Sequence, residues 1–282
     1  MASRRSALPA REPRPRLRKA LGQHHLTSPE LCRPAVEFLG ARRSPGGSRR
    51  VLEIGPGGGV LTRALLAEEW RVLAVELDRA WAFELQRRIA GPATSRDRLQ
   101  VVIADALALS FAGLLPGSAI AGNLPYGIST AIVERVLDDA PDGTRCAFLV
   151  QREVADRLLA APGSRTYGSL SVLVALRARG RLLARVRPGS FNPPPKVESA
   201  FVGLEIERPE VEAESWTDLK RTVRAAFAQR RKTIANALAA TFGSLRARRA
   251  LERCGIDGRL RAEALRPEAF VALHRVLLGA GS

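Results

Sequence analysis

The sequence is poor in the residues that staple small or secreted domains. Its three cysteines, Cys32, Cys146 and Cys254, lie far apart and form no Cys-x-x-Cys pair, which argues against a disulfide framework or a zinc ribbon and fits a reducing, cytoplasmic setting. The three histidines, His24, His25 and His274, lack metal-ligand spacing, so no metal centre is expected. No apolar run approaches the roughly 18 residues of a membrane span. No membrane partner is therefore expected. Lysine is scarce as well: Lys19, Lys196, Lys220 and Lys232 are the four among 45 basic residues.

Positive charge, by contrast, is abundant. The 282 residues carry a formal charge of +17, from 45 Lys and Arg against 28 Asp and Glu, an excess that points to a polyanionic partner. It is clustered: residues 1–50 hold 12 basic and 3 acidic side chains (+9) and residues 216–253 hold 10 and 2 (+8), together the whole surplus. Codon bias explains arginine over lysine but not the clustering. Residues 1–20, rich in arginine and interrupted by Pro9, Pro13 and Pro15, lack the apolar core of a secretory signal and read as a flexible basic tail. Their composition also allows a mitochondrial transit peptide, although the prolines oppose its amphipathic helix.

The length suits one large domain and a smaller one. From about Arg50 onward, short β-type runs (51–54, 72–76, 99–103, 119–121, 146–150) alternate with helical ones (61–69, 79–89, 130–137, 153–159), the pattern of an α/β sheet wound with helices on both faces. Further strands are expected at 182–186 and 200–206, joined through Phe191 and a stiff Pro193-Pro194-Pro195 run. An acidic stretch around Pro209 then reads as a linker, and the remainder becomes helical. The expected division is a catalytic domain over 21–207 and a helical domain over 215–282.

Parallel sheets bind their ligands beyond the carboxyl ends of the strands, where Glu53, Glu76, Asp105 and Asn123 fall. The turn Glu53-Ile54-Gly55-Pro56-Gly57-Gly58-Gly59 follows a strand and opens a helix, so its glycines let a ligand approach the backbone. Glu76 ends the next strand, where a carboxylate accepts both hydroxyls of a ribose. The pair specifies an adenosine-containing ligand and leaves a nicotinamide cofactor open. Asp105 suits either the exocyclic amine of adenine or a turn cap. Asn123-Leu124-Pro125-Tyr126 sets an amide, a rigid carbonyl and an aromatic ring side by side, a set that holds a planar amino group and stacks a base. The same tetrapeptide is ordinary turn chemistry when it stands alone.

In this order the motifs resemble the ribosomal RNA adenine dimethyltransferases, most closely the branch acting on 16S rRNA of the small subunit. The resemblance covers about residues 18–270 and rests on Leu21-Gly22-Gln23-His24-His25-Leu26, the Glu53 to Gly59 turn, Glu76 with Asp78, Asp105, the Asn123 tetrad, Gln151-Arg152-Glu153-Val154 and Tyr167-Gly168-Ser169-Leu170-Ser171. It continues through Phe191-Asn192-Pro193-Pro194-Pro195-Lys196-Val197-Glu198-Ser199-Ala200, Phe227-Ala228-Gln229-Arg230-Arg231-Lys232-Thr233 and Gly255-Ile256-Asp257. The family usually reads Gly-Gln-Asn-Phe-Leu where this chain has Gly22-Gln23-His24-His25-Leu26.

The resemblance implies an S-adenosyl-L-methionine-dependent enzyme with cofactor contacts from His24, Leu26, Gly55, Gly57, Glu76, Asp105 and Asn123. Asn123 and the Pro125 carbonyl would accept the two amino hydrogens of the target adenine, with Tyr126 and Phe191 stacking on the extruded base. A basic helix expected over 219–240 carries Lys220, Arg224 and Arg231 as contacts to RNA phosphates. The implied partner is ribosomal RNA in an assembling small subunit, met by a monomer. Two alternatives stay open: a 23S rRNA methyltransferase of the macrolide-resistance type, and an RNA-binding assembly or transcription factor that keeps the fold without the activity.

Overall fold

Alternate residues of a strand point to opposite faces of its sheet, so a strand covered by helices on both sides is apolar throughout. The computed structural model, which describes residues 24–40, 49–89, 97–208 and 213–278, shows central strands that are mostly apolar and buried, with Glu53 and Glu76 as buried acids near their carboxyl ends. The strands are β1 (His25–Leu26), β2 (Arg50–Ile54), β3 (Arg71–Glu76), β4 (Leu99–Ile103), β5 (Ala119–Asn123), β6 (Arg145–Gln151), β7 (Ala178–Val186), β8 (Phe191–Asn192) and β9 (Ser199–Ile206). Seven of them form one sheet in the order β4-β3-β2-β5-β6-β9-β7. The first five are parallel, and β9 runs antiparallel to both β6 and β7.

Leu52, Ile54, Ile120, Phe148 and Val202 belong to one apolar cluster, while Val51, Ala119, Ala121, Leu149 and Phe201 belong to another. The second cluster is completed by helices α1 (Arg33–Gly40), α2 (Val60–Ala67) and α3 (Arg79–Ile89). The first is completed by α4 (Ser129–Asp139), α5 (Arg152–Leu158) and α6 (Ser169–Arg177), and it runs on into the C-terminal helices. These are α7 (Ala213–Phe227), α8 (Ile234–Phe242), α9 (Ser244–Arg253) and α10 (Pro267–Leu278). The basic tail expected over 1–20 lies outside the described residues.

The single basic helix expected over 219–240 is two helices. Thr233 takes an extended conformation and its hydroxyl accepts from the Asn236 amide, capping a new helix. A threonine in that position satisfies one of the amide groups that a helix start leaves unpaired. The Phe191 segment also differs from a free polyproline arm. Phe191 and Asn192 form β8, which pairs antiparallel with β1 so that Leu26 faces Phe191 and His25 faces Asn192.

Close strand packing makes one glycine indispensable. A Cβ on Gly122 of β5 would stand 2.7 Å from the Ile54 carbonyl and 2.8 Å from Leu124 Cδ2. The obstacle on the Ile54 side is the backbone of a paired strand. Gly122→Ala is expected to cost about 1–3 kcal/mol, seen as a lower melting temperature. A variant as stable as the wild type would show that β2 and β5 are free to separate.

Candidate active site

The turn after β2 owes its shape to glycine. Gly55 (φ 65), Gly57 (φ 47) and Gly59 (φ 72) lie in the left-handed region, which side chains with a Cβ rarely adopt. The amides this exposes are taken up inside the protein. Gly57 N–H donates to Glu76 Oε2 at 3.0 Å, Gly58 N–H to His25 Nδ1 at 3.0 Å, and Gly59 N–H to the Pro56 carbonyl at 2.8 Å. A dinucleotide loop holds such amides out toward a pyrophosphate. This loop does not, which removes the main support for the nicotinamide reading.

Beyond the ends of β2, β3, β4 and β5 lies a cavity of about 380 Å³ lined by His24, His25, Leu26, the Glu53 to Gly58 segment, Glu76, Asp105 and the Asn123 tetrad. Its wall contains the acidic residues Glu53, Glu76 and Asp105 and, among the described residues, no lysine or arginine. Negative potential from Glu76 and Asp105 in an enclosed cleft repels phosphate and attracts a ligand with a cationic centre. An adenosine carrying a sulfonium and an ammonium group fits that description.

Glu76 is 6 % exposed and fixed at both oxygens, Oε2 by Gly57 N–H and Oε1 by Asp78 N–H at 3.0 Å. Burial pushes its pKa upward. Each carboxylate oxygen keeps a second lone pair, enough for two ribose hydroxyls. Asp105 Oδ1 caps the turn that follows by accepting from Leu107 N–H at 2.9 Å. Its Oδ2 meets no donor among the described residues, so the capping and ligand readings use different oxygens.

Glu53, which the motif reading passed over as part of the loop, is 1 % exposed, and its Oε2 lacks a hydrogen-bond partner among the described residues. Burial, reinforced by the charge of Glu76, raises its pKa from 4.5 to about 8. Below pH 4.5 folded and unfolded chains both hold this proton; between 4.5 and about 8 only the folded chain does, so stability falls as pH rises and levels off above about 8. Glu53→Gln should erase that slope. Relative to wild type, the variant is expected to gain a few kcal/mol between pH 5 and pH 8, measured by urea melts. An equal difference at both pH values would mean that Glu53 is ionised in the fold.

Asn123 ends β5, and its Nδ2 donates to the His24 carbonyl at 2.8 Å. That bond fixes the amide and leaves Oδ1 as its acceptor end, without a donor among the described residues. Leu124 N–H is taken by the Leu149 carbonyl at 3.1 Å. The Pro125 carbonyl, expected to accept from a substrate, already accepts from Ile128 N–H at 3.1 Å in a tight turn. The Leu124 carbonyl accepts nothing among the described residues, which makes it the uncommitted one of the two carbonyls. The His24 ring stacks on Tyr126 with centroids 5.4 Å apart and 24° between planes. Tyr126 OH is held by Ser199 Oγ at 2.7 Å, and His24 Nδ1 donates to the Pro193 carbonyl at 2.8 Å.

Two further expectations are corrected. Phe191 is 3 % exposed, opposite Leu26 in the second apolar cluster and off the cavity wall. A ring so enclosed offers no face to a base. Lys220, read as a phosphate contact, is turned inward: its Nζ meets Asp138 Oδ1 at 2.6 Å with 13 % of the side chain exposed. Arg224 meets Glu134 at 2.7 Å, while Arg231 is exposed. A residue that sequence reasoning left out is His25, whose Nδ1 holds Gly58 and whose ring meets Trp81 edge-on at 4.5 Å. The sequence signal was its departure from the family's usual phenylalanine. Among the described residues no group of His, Cys, Asp and Glu side chains is arranged to hold a metal, and no helix is long and apolar enough to cross a membrane.

A family model described as Ribosomal RNA adenine dimethylase matches residues 14–277. The chain belongs to that family. Its members are S-adenosylmethionine-dependent methyltransferases, and so is this chain. Among its relatives, the Ribosomal RNA small subunit methyltransferase A of Rubrobacter xylanophilus is 40 % identical over 270 residues, covering 95 % of this chain and 97 % of that one. The protein of the same name from Thermosynechococcus vestitus is 40 % identical over 269 residues, covering 93 % and 97 %. Among solved structures, the 23S rRNA methyltransferase ErmE superposes with a TM-score of 0.64 at 27 % identity, covering 89 % of this chain and 98 % of that one. A dimethyladenosine transferase from Plasmodium falciparum shares the fold, with a TM-score of 0.68 at 24 % identity and coverage of 89 % and 96 %.

Proposed function

We propose that this adenine dimethylase methylates N6 of adenosines in 16S rRNA of the assembling small subunit, in the cytoplasm and as a monomer, with Asn123 Oδ1 and the Leu124 carbonyl as the acceptors that aim the amino group. The observation that carries the reading is the pair of uncommitted acceptors at the end of β5, beside an acid-lined cavity whose glycine loop holds its amides inward. The small-subunit assignment follows the curated relatives at 40 % identity rather than the 23S enzyme at 27 %.

S-adenosylmethionine, when bound, supplies a methyl group on a cationic sulfur. Glu76 would hold its ribose hydroxyls and Asp105 Oδ2 its adenine amine, with Leu26, Gly55, Gly57 and the His24 segment shaping the remaining wall. The target amino nitrogen is a weak nucleophile because its lone pair is shared with the purine ring. Two acceptors that draw on its hydrogens turn it out of conjugation and point the lone pair toward the cavity. Tyr126, held by Ser199 and backed by His24, gives the extruded base a face to stack on. No strong general base is required, because the nitrogen becomes cationic on taking the methyl and sheds its extra proton to water while the cofactor leaves as a neutral thioether, so positioning supplies most of the acceleration. After one transfer the amino group keeps a single hydrogen, and a second transfer proceeds with one acceptor bond fewer.

Division of labour between the sheet (21–207) and the C-terminal helices (215–282) belongs to the same proposal, with Arg231 as a phosphate contact. The test is mass mapping of methylated adenines in 16S and 23S rRNA from cells with and without this protein. Loss of small-subunit dimethyladenosine is the expected result. Loss confined to 23S rRNA would reassign the substrate, and no loss in either would leave the fold without its activity.

A further inference from the structure

Helix-borne cations in this protein are commonly met by carboxylates. On α3, Arg87 and Arg88 meet Glu84; on α4, Arg135 meets Asp139; on α5, Arg152 meets Asp156 and Glu198; on α7, Lys220 and Arg224 meet Asp138 and Glu134. Helix α9 breaks the pattern. Its ten residues hold Arg246, Arg248, Arg249 and Arg253 against the one acid Glu252. All four arginines are exposed, and none meets a carboxylate among the described residues. Glu252, one turn from Arg248, stays outside ion-pair distance of it.

The arrangement on the helix is one-sided. Ala247, Ala250 and Leu251 are the buried residues, seating α9 against its neighbours. Arg246, Arg249 and Arg253 recur at i, i+3 and i+7, which places them in one stripe on the outward side, spanning roughly 10 Å along the axis. Like charges three and four residues apart destabilise a helix by a few tenths of a kcal/mol per pair. Among the described residues no carboxylate, Glu252 included, stands at ion-pair distance to relieve them. A row of unpaired guanidinium groups is matched by a regularly spaced anion, and arginine is the side chain best suited to phosphate. None of these residues lines the cavity.

We propose that α9 is a separate docking ridge for RNA, in which Arg246, Arg249 and Arg253 grip the phosphodiester backbone of the rRNA substrate at a place outside the catalytic cavity. The ridge rests on the reading of the substrate as RNA given above. It fixes register and orientation rather than sequence, because phosphate contacts carry no base information. It also locates in the structure part of the +8 surplus of residues 216–253, now that Lys220 and Arg224 are accounted for by internal pairs.

The test is a triple variant of the full-length protein, Arg246→Gln, Arg249→Gln and Arg253→Gln, with a naked 16S rRNA transcript as the probe. Each phosphate contact contributes about 0.7 to 0.9 to the slope of log affinity against log salt, so the variant's slope is expected to be shallower by about 2. Affinity for the transcript should fall at least about tenfold at low salt, while S-adenosylmethionine binding by calorimetry and the melting temperature stay at wild-type values. Wild-type binding of the transcript with an unchanged slope in the variant overturns the ridge alone. Failure of the wild type to bind the transcript sinks the RNA reading of the enzyme and the ridge with it. A loss seen with small-subunit particles but not with the transcript would assign α9 to a protein partner and equally overturn the proposal.

Discussion

Asn123→Ala is expected to lower methyl transfer to rRNA by at least about 100-fold, the scale on which losing one aimed hydrogen-bonding group in an active site acts. The variant removes Oδ1, an acceptor without a donor among the described residues, and it also frees the His24 carbonyl that Nδ2 holds at 2.8 Å. S-adenosylmethionine affinity, proposed to rest chiefly on Glu76 and Asp105, should stay within a few-fold. Asn123→Asp separates the two roles, because it keeps an acceptor oxygen and loses the donor to His24; partial turnover is expected. Single-turnover methylation with saturating cofactor reads all three proteins. Wild-type turnover by Asn123→Ala would remove the amino-group clamp from the mechanism.

The second large effect is on binding. Glu76→Ala should weaken S-adenosylmethionine by on the order of 100-fold or more, since two hydrogen bonds to an ionised carboxylate are worth about 1.5–3 kcal/mol each. The loss has an additional source in the protein itself, because Glu76 also receives the Gly57 and Asp78 amides. Without it those donors lose their partners and the glycine loop loses one of its anchors. The methylation rate at saturating cofactor should recover far more than in Asn123→Ala. Calorimetry that shows less than a threefold change in affinity would take the ribose away from Glu76.

Much of this was legible in the sequence because it depended on local pattern. Apolar runs ending in Glu53, Glu76, Asp105 and Asn123 placed the parallel strands and the acidic cavity wall, and the Asn-Leu-Pro-Tyr tetrad carries the oxygens proposed as acceptors. What escaped were contacts made between distant segments. Pro125 and Leu124 carry identical carbonyl groups, and only the turn that brings Ile128 N–H to Pro125 shows which one is already engaged. Phe191 looked available because its proline neighbours suggest an extended arm, yet pairing with β1 encloses its ring. Lys220 looked solvent-facing on a helical projection, but Asp138, 82 positions earlier, draws it inward. The break at Thr233 was the exception: a cap residue readable in the sequence and overridden there by the longer helical pattern.

The roof of the cavity has an implication for synthesis. His24 is joined to Pro193 by a hydrogen bond spanning 169 positions, and β1 pairs with β8 rather than with a neighbour in sequence. Contacts so far apart along the chain close late, after the loop between them has been ordered. A nascent chain whose residues from 191 onward are still inside the translating ribosome therefore carries the glycine turn, Glu76 and Asn123 before β1 has its partner strand. The β1–β8 pairing beside the cavity is thus possible only once about two thirds of the 282 residues have been made.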